Sequence, residues 1–225
     1  MTAREKILGR IRAQKKRGPL AGADADLLKQ RIADHARNIV PERSRLPKAG
    51  QVDLFQTKME GLGATTERVA SAADIPARIR DYLSQKNLPT RIKVSPSEIL
   101  TGLGWDTVPM IEVVVGAGTE EDMVGLSPAF AGIAETGTLM MLSGPETPST
   151  VNFLPENHIA VLKVSDMVGA FEEAWDALRA AHGEALPRTV NLISGPSRTA
   201  DIEQTLIMGA HGPKTLHVIL VEDGT

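Results

Sequence analysis

The chain has 225 residues, no cysteine and a formal net charge of −3. That length buries a core comfortably, and the missing thiols exclude disulfides, thiolate catalysis and a cysteine-ligated iron–sulfur cluster within it. An acidic balance with 3% aromatic residues gives no reason to expect nucleic acid or a base-stacking platform. No apolar run approaches the roughly 18 residues of a membrane span, and the first residues lack the pattern of a signal peptide. The expectation is a cytoplasmic protein with no membrane span.

Thr2 and Glu5 have capping-box spacing, and Ile7, Leu8 and Ile11 recur at helical intervals, so the chain opens on a helix. Arg10, Arg12, Lys15, Lys16 and Arg17 follow, a basic cluster that suits a helix carbonyl end. After the Gly18-Pro19 break a second helix is expected from Asp24 to about Asn38, with Leu27, Leu28 and Ile32 on one face. Residues 1–45 thus form a helical arm, whose apolar stripe needs either the main domain or a second subunit to cover it, and residues 46–225 form the domain.

Within the domain, Val52, Phe55 and Met59 mark a helix that stops at Gly61 and Gly63, and Ala64–Val69 reads as a strand. Ile75, Ile79, Tyr82 and Leu83 line an amphipathic helix. Strands over Thr90–Val94 and Met110–Val115 flank a helical turn at Pro96–Leu100. This alternation predicts an α/β fold, a Rossmann-like, largely parallel sheet flanked by helices. Phe130–Ala134 and Thr138–Leu142 read as a hairpin through Glu135-Thr136-Gly137, with Gly137 at the position that needs positive φ. Glu135, between two apolar runs, must be exposed or paired. The proline-rich stretch from Ser143 to Asn157 is long for a plain loop, so a short helix or a site-covering segment is expected there. His158–Val164 is a strand, and Asp166 is placed as the cap of a helix carrying Val168, Phe171, Trp175 and Leu178.

The densest chemistry lies near the end. The apolar run Val190–Ile193 breaks at Ser194-Gly195-Pro196-Ser197-Arg198-Thr199, and Asp201 and Glu203 follow. Glycine allows close backbone approach, the hydroxyls donate hydrogen bonds and arginine supplies charge. The run matches neither the P-loop nor the dinucleotide fingerprint. Its acids suit the first turn of a helix capped by Ser197 or Thr199, a purely structural reading that the residues leave open. Gly209-Ala210-His211-Gly212-Pro213 is a second punctuated turn before a strand at Thr215–Val221, and both turns are expected to lie at ligand-binding strand ends, by the rule that favours carboxyl ends. His211 is the histidine expected to be exposed and is the candidate proton carrier, whereas His158 and His217 in strand patterns read as structural. The five histidines show no zinc-site spacing, so no metal is expected. Glu135 is the candidate base or nucleophile.

Three stretches together, Ala134–Thr138, Ser194–Glu203 and Gly209–Pro213 with Leu216–Leu220, resemble the LUD-domain family, and Leu154–Val161 fits its pattern too. The resemblance spans roughly residues 45 to 223. It implies the fold group of ribose-5-phosphate isomerase, glucosamine-phosphate deaminase and the CoA-transferases. It also implies an accessory role in oxidising L-lactate to pyruvate, as one of three proteins. The partners would be an iron–sulfur oxidoreductase subunit and a larger protein joining iron–sulfur motifs to a LUD domain. The clusters would then reside in those partners, with no cofactor in this chain. Its motif members, Glu135 and His211 as catalytic candidates with Thr136, Gly137, Ser194, Gly195, Ser197, Arg198, Thr199, Asp201, Glu203 and Gly212 as binding candidates for a small carboxylate, are carried as a site. Class I CoA-transferases place a nucleophilic glutamate before a small polar residue and glycine, much as in Glu135-Thr136-Gly137. The alternative reading is therefore a stand-alone sugar-phosphate isomerase or acyl-transfer enzyme.

Overall fold

A computed structural model describes residues 2–16, 18, 20–183, 185–202 and 205–222. Arg17, Pro19 and Glu203 lie outside the described residues. The chain divides into two units, residues 1–39 and 40–225. In the first, α1 (Ala3–Gln14) starts on the capping box expected of Thr2 and Glu5, and α2 (Ala23–Ala33) follows. Neither helix buries a side chain.

The second unit begins its regular structure with α3 (Lys48–Gly61), β1 (Thr65–Val69), α4 (Ile75–Gln85), β2 (Arg91–Val94), α5 (Glu98–Thr101), β3 (Glu112–Val115) and β4 (Val124–Pro128). The hairpin β5 (Ala131–Ile133) and β6 (Thr138–Leu142), then α6 (Thr150–Phe153), β7 (Asn157–Lys163), β8 (Met167–Val168) and α7 (Phe171–His182) come next. The chain closes with β9 (Val190–Ile193), β10 (Arg198–Ile202), β11 (Thr205–Met208) and β12 (Thr215–Val221).

Six strands form one sheet in the order β1-β12-β7-β4-β2-β3, parallel throughout. Both of its faces are covered, which is why β7 and β12 read as unbroken apolar runs. Strand alternation sorts their side chains. Ile159, Val161, Ile219 and Val221 pack with Ile75, Ile79 and Leu83 of α4, while Ala160, Leu162, Val218 and Leu220 meet Val52, Phe55 and Met59 of α3. Each of those fully buried large side chains contributes about 1.5–3 kcal/mol. A second sheet, in the order β8-β5-β6-β9, lies on the α3 face. Its other side packs Ile133 and Met140 against Ala174 and Leu178 of α7.

Three expectations are corrected. The helix after β7 starts at Phe171, not at Asp166, and Val168 is a strand residue. Its start is fixed by Glu173, whose Oε2 accepts the Gly169 and Ala170 amides at 2.7 and 3.1 Å. The stretch after Ser197 is not a helix. Arg198 pairs with Met208 and Thr199 with Ile207 in an antiparallel ribbon, consistent with the β-branched Thr199, Ile202, Thr205 and Ile207. Finally, the Gly209–Pro213 turn enters β12 at its amino end, so the ligand-binding rule for carboxyl ends does not apply to it.

Candidate functional site

The two punctuated turns of the sequence are one structural unit. The Ser197 amide donates to the Pro213 carbonyl at 2.9 Å, and the Gly209 amide donates to the Ser197 carbonyl at 3.0 Å. The His211 amide reaches Ser197 Oγ at 3.4 Å. These bonds clamp the base of the β10–β11 ribbon and close a cavity of about 270 Å³. Ser194, Gly195, Ser197, Arg198, His211 and Gly212 all line it. Its floor is the amino end of the parallel sheet, through His158 and Leu216, which are register partners on β7 and β12. Asn152 and Phe153 of α6 complete the wall, so the proline-rich connection does contain a short helix that covers the site.

The other sequence-selected residues are arranged around this cavity in different ways. Thr136 Oγ1, Thr138 Oγ1 and Ser194 Oγ form a hydroxyl chain with steps of 2.7 and 2.6 Å, which ties the Glu135–Gly137 turn to the cavity edge. β6 and β9 run antiparallel with Leu139 opposite Ile193, and that register sets Thr138 beside Ser194. Gly137 takes φ +63°, and a Cβ there would stand 2.6 Å from Lys58 Cβ, so the turn is pressed onto α3. Thr199 and Asp201 belong to β10.

Glu135 itself is not part of the cavity lining. It is 7% exposed; its Oε1 accepts the Phe171 amide at 3.2 Å and its Oε2 meets Arg43 at 3.4 Å. The carboxylate thus serves the first turn of α7, where the helix dipole favours a negative charge. It answers the pairing requirement that burial imposed.

Several contributors are silent in the sequence. His158 is 1% exposed, and its Nε2 lies 2.7 Å from Ser127 Oγ. Burial pushes its pKa down to about 4, so this wall is a neutral imidazole at neutral pH. Gly63 (φ +90°) leaves room that the Arg198 guanidinium uses, since a Cβ there would lie 2.1 Å from Nη2. The only sequence sign of that contact is the Gly-Leu-Gly at the end of α3. Together the cavity offers one guanidinium, two serine hydroxyls, a neutral polar floor and an exposed histidine. That set suits a small carboxylate, which arginine can grip through two parallel hydrogen bonds. Among the described residues no group of three or more His, Cys, Asp or Glu side chains could hold a metal ion, and no helix is long and apolar enough to cross a membrane.

Comparison with known proteins places this architecture. The LUD domain matches residues 52–221. The chain belongs to the LUD-domain family. This LUD protein is 30% identical over 203 residues to lactate utilization protein C of Halalkalibacterium halodurans, covering 88% of this chain and 84% of the relative. It is 33% identical over 180 residues to the Bacillus subtilis protein of the same name, covering 76% and 73%. Among solved structures it resembles a DUF162 family protein from Deinococcus radiodurans, with a TM-score of 0.58 and 24% identity over 78% of this chain and 99% of that one. At that identity the likeness speaks to the α/β fold. The LUD match begins within α3 and ends with β12, so it takes in every strand that builds the cavity.

Proposed function

We propose that this LUD protein is an accessory subunit in L-lactate utilization, working beside iron–sulfur subunits that oxidise L-lactate to pyruvate. The observation that carries the reading is the likeness to two proteins named lactate utilization protein C over most of both chains. Removing two electrons from lactate needs an acceptor, and a chain of 225 residues with no cysteine supplies no thiolate to hold a cluster. The clusters therefore belong to partners, and this chain contributes binding and orientation. In that role Arg198 would take the substrate carboxylate, Ser194 and Ser197 its hydroxyl or remaining oxygen, and His211 would carry the proton. The cavity of about 270 Å³ is roomy for a three-carbon acid and leaves space for a partner group at its mouth.

The alternative, a stand-alone isomerase or acyl transferase acting through Glu135, meets a geometric obstacle. Both carboxylate oxygens are already engaged, one by the Phe171 amide and one by Arg43. Co-purification of the tagged chain from its native host tests the proposal. The expected result is co-isolation of iron–sulfur proteins, with iron and acid-labile sulfide in the complex. Isolation of the chain alone from lactate-grown cells would contradict it.

A further inference from the structure

Charge is unevenly spread along this chain. Residues 1–39 carry ten Lys and Arg against four Asp and Glu, a net +6, and residues 40–225 carry fifteen against twenty-four, a net −9. Between Lys93 and Lys163 stand nine acids and no Lys or Arg. The basic end is helical and has an apolar stripe. Ile7 and Ile11 of α1 and Leu27 and Ile32 of α2 are exposed, and neither helix buries a side chain. A stripe of that kind needs a cover. Arg10 and Arg12 lie about 100° to either side of Ile11 around the helix, and neither has an ion-pair partner among the described residues.

The acidic stretch contains an open sheet edge. β3 has β2 on one side and no strand on the other. Sheets guard such edges with Pro, Lys, a bulge or a covering segment. At the opposite edge, β1, Arg68 is bonded to Asp53 and Gln56 of α3. β3 is Glu112-Val113-Val114-Val115, with neither Pro nor Lys, and Met110 and Val115 beside and within it are 75% and 49% exposed. Asp106 before the strand and Glu120 and Glu121 after it are exposed and have no ion-pair partner among the described residues. Glu112 is answered by Arg91 at 3.4 Å.

We propose that the basic arm of one copy covers the acidic β3 edge of a second copy, so that two copies exchange arms in a closed dimer. The occupant follows from charge and apolar surface together. Arg10 and Arg12 meet Glu120, Glu121 and Asp106, while Ile7 and Ile11 cover Met110 and Val115. Because both surfaces belong to one sequence, each copy gives an arm and receives one, the reciprocal arrangement that closes about a two-fold axis. A helix laid over the edge also shields β3 from open-ended strand pairing. The contact uses no residue of the Ser194–Pro213 cavity and does not depend on the lactate reading.

The test is sedimentation velocity on the full-length protein at about 50 μM. The wild type is expected to be dimeric at an ionic strength of about 0.05 M and to lose about tenfold in affinity at about 0.5 M, where exposed charges are screened. Arg10→Glu with Arg12→Glu reverses the arm, and Glu120→Lys with Glu121→Lys reverses the edge. All four side chains are exposed, so both variants should fold as the wild type does. Each alone should be monomeric, its association weakened at least about tenfold. An equimolar mixture of the two should dimerise again, since each arm then meets an edge of opposite charge. A wild-type monomer, a dimer that survives either reversal, or a mixture that stays monomeric would overturn the proposal. A monomer whose arm binds phosphatidylserine vesicles would overturn it too, and would assign the basic helix to a lipid surface.

Discussion

Glu135 and His158 show how a titratable side chain acquires its role from its surroundings. Glu135 satisfies one amide at the start of α7 and one arginine. Glu135→Ala should therefore destabilise the protein by about 1–3 kcal/mol in denaturant unfolding. Glu135→Gln should cost much less, since its amide oxygen still accepts the Phe171 amide. A nucleophile would show the reverse pattern, with function lost in both and stability unchanged. His158 carries a pH signature. Its folded-state pKa of about 4 lies below the ordinary histidine value of 6.5, so between those values the unfolded chain binds more protons than the native one. Stability then rises with pH across that window and is lost as pH falls from about 6.5 towards 4. His217 adds a parallel contribution. Unfolding midpoints measured from pH 7 to pH 4 should fall steadily, and His158→Asn should flatten part of that slope. An unchanged slope in the variant would remove burial of His158 as its cause.

Among the elements, the Glu135–Gly137 turn links α3, the hairpin and the cavity edge. Gly137→Ala must place a Cβ 2.6 Å from Lys58 Cβ and 2.8 Å from the Met59 amide, at a φ of +63°. The expected outcome is a loss of at least about 1–2 kcal/mol in stability, read by thermal or denaturant unfolding. The same elements mark what the sequence discloses. Helical spacing of Val52, Phe55 and Met59, or of Ile75, Ile79 and Leu83, defines α3 and α4 because one face of each is buried. β7 and β12 are legible because burial on both faces demands apolar runs. β4 is not, since its Gly125, Ser127 and Pro128 are residue types that punctuate rather than propagate strands. The ribbon of β10 and β11 reads as a helix start because Ser, Thr, Asp and Glu after a proline fit cap chemistry equally well, and only the pairing with β11 decides between them.

Across the whole molecule, the candidate site occupies the amino ends of β7 and β12, where parallel sheets do not ordinarily bind ligands. The second sheet explains the departure. β9 delivers Ser194–Arg198 from the α3 side, antiparallel to β6, and hydrogen bonds dock that loop onto the turn feeding β12. Sequence separates these pieces: from Thr136 to Ser194 to His211 the motif is legible as a set of residue types, but the floor from His158 and the space at Gly63 arise only from register and close approach. Arg198 lines the cavity, and in the proposed function it is the group that grips the substrate carboxylate. The most direct measurement is lactate oxidation by the native host lacking this chain and complemented with Arg198→Ala, alongside co-isolation of its partners. Oxidation is expected to fall about tenfold or more while the complex still assembles. Wild-type lactate oxidation with Arg198→Ala in place would contradict it.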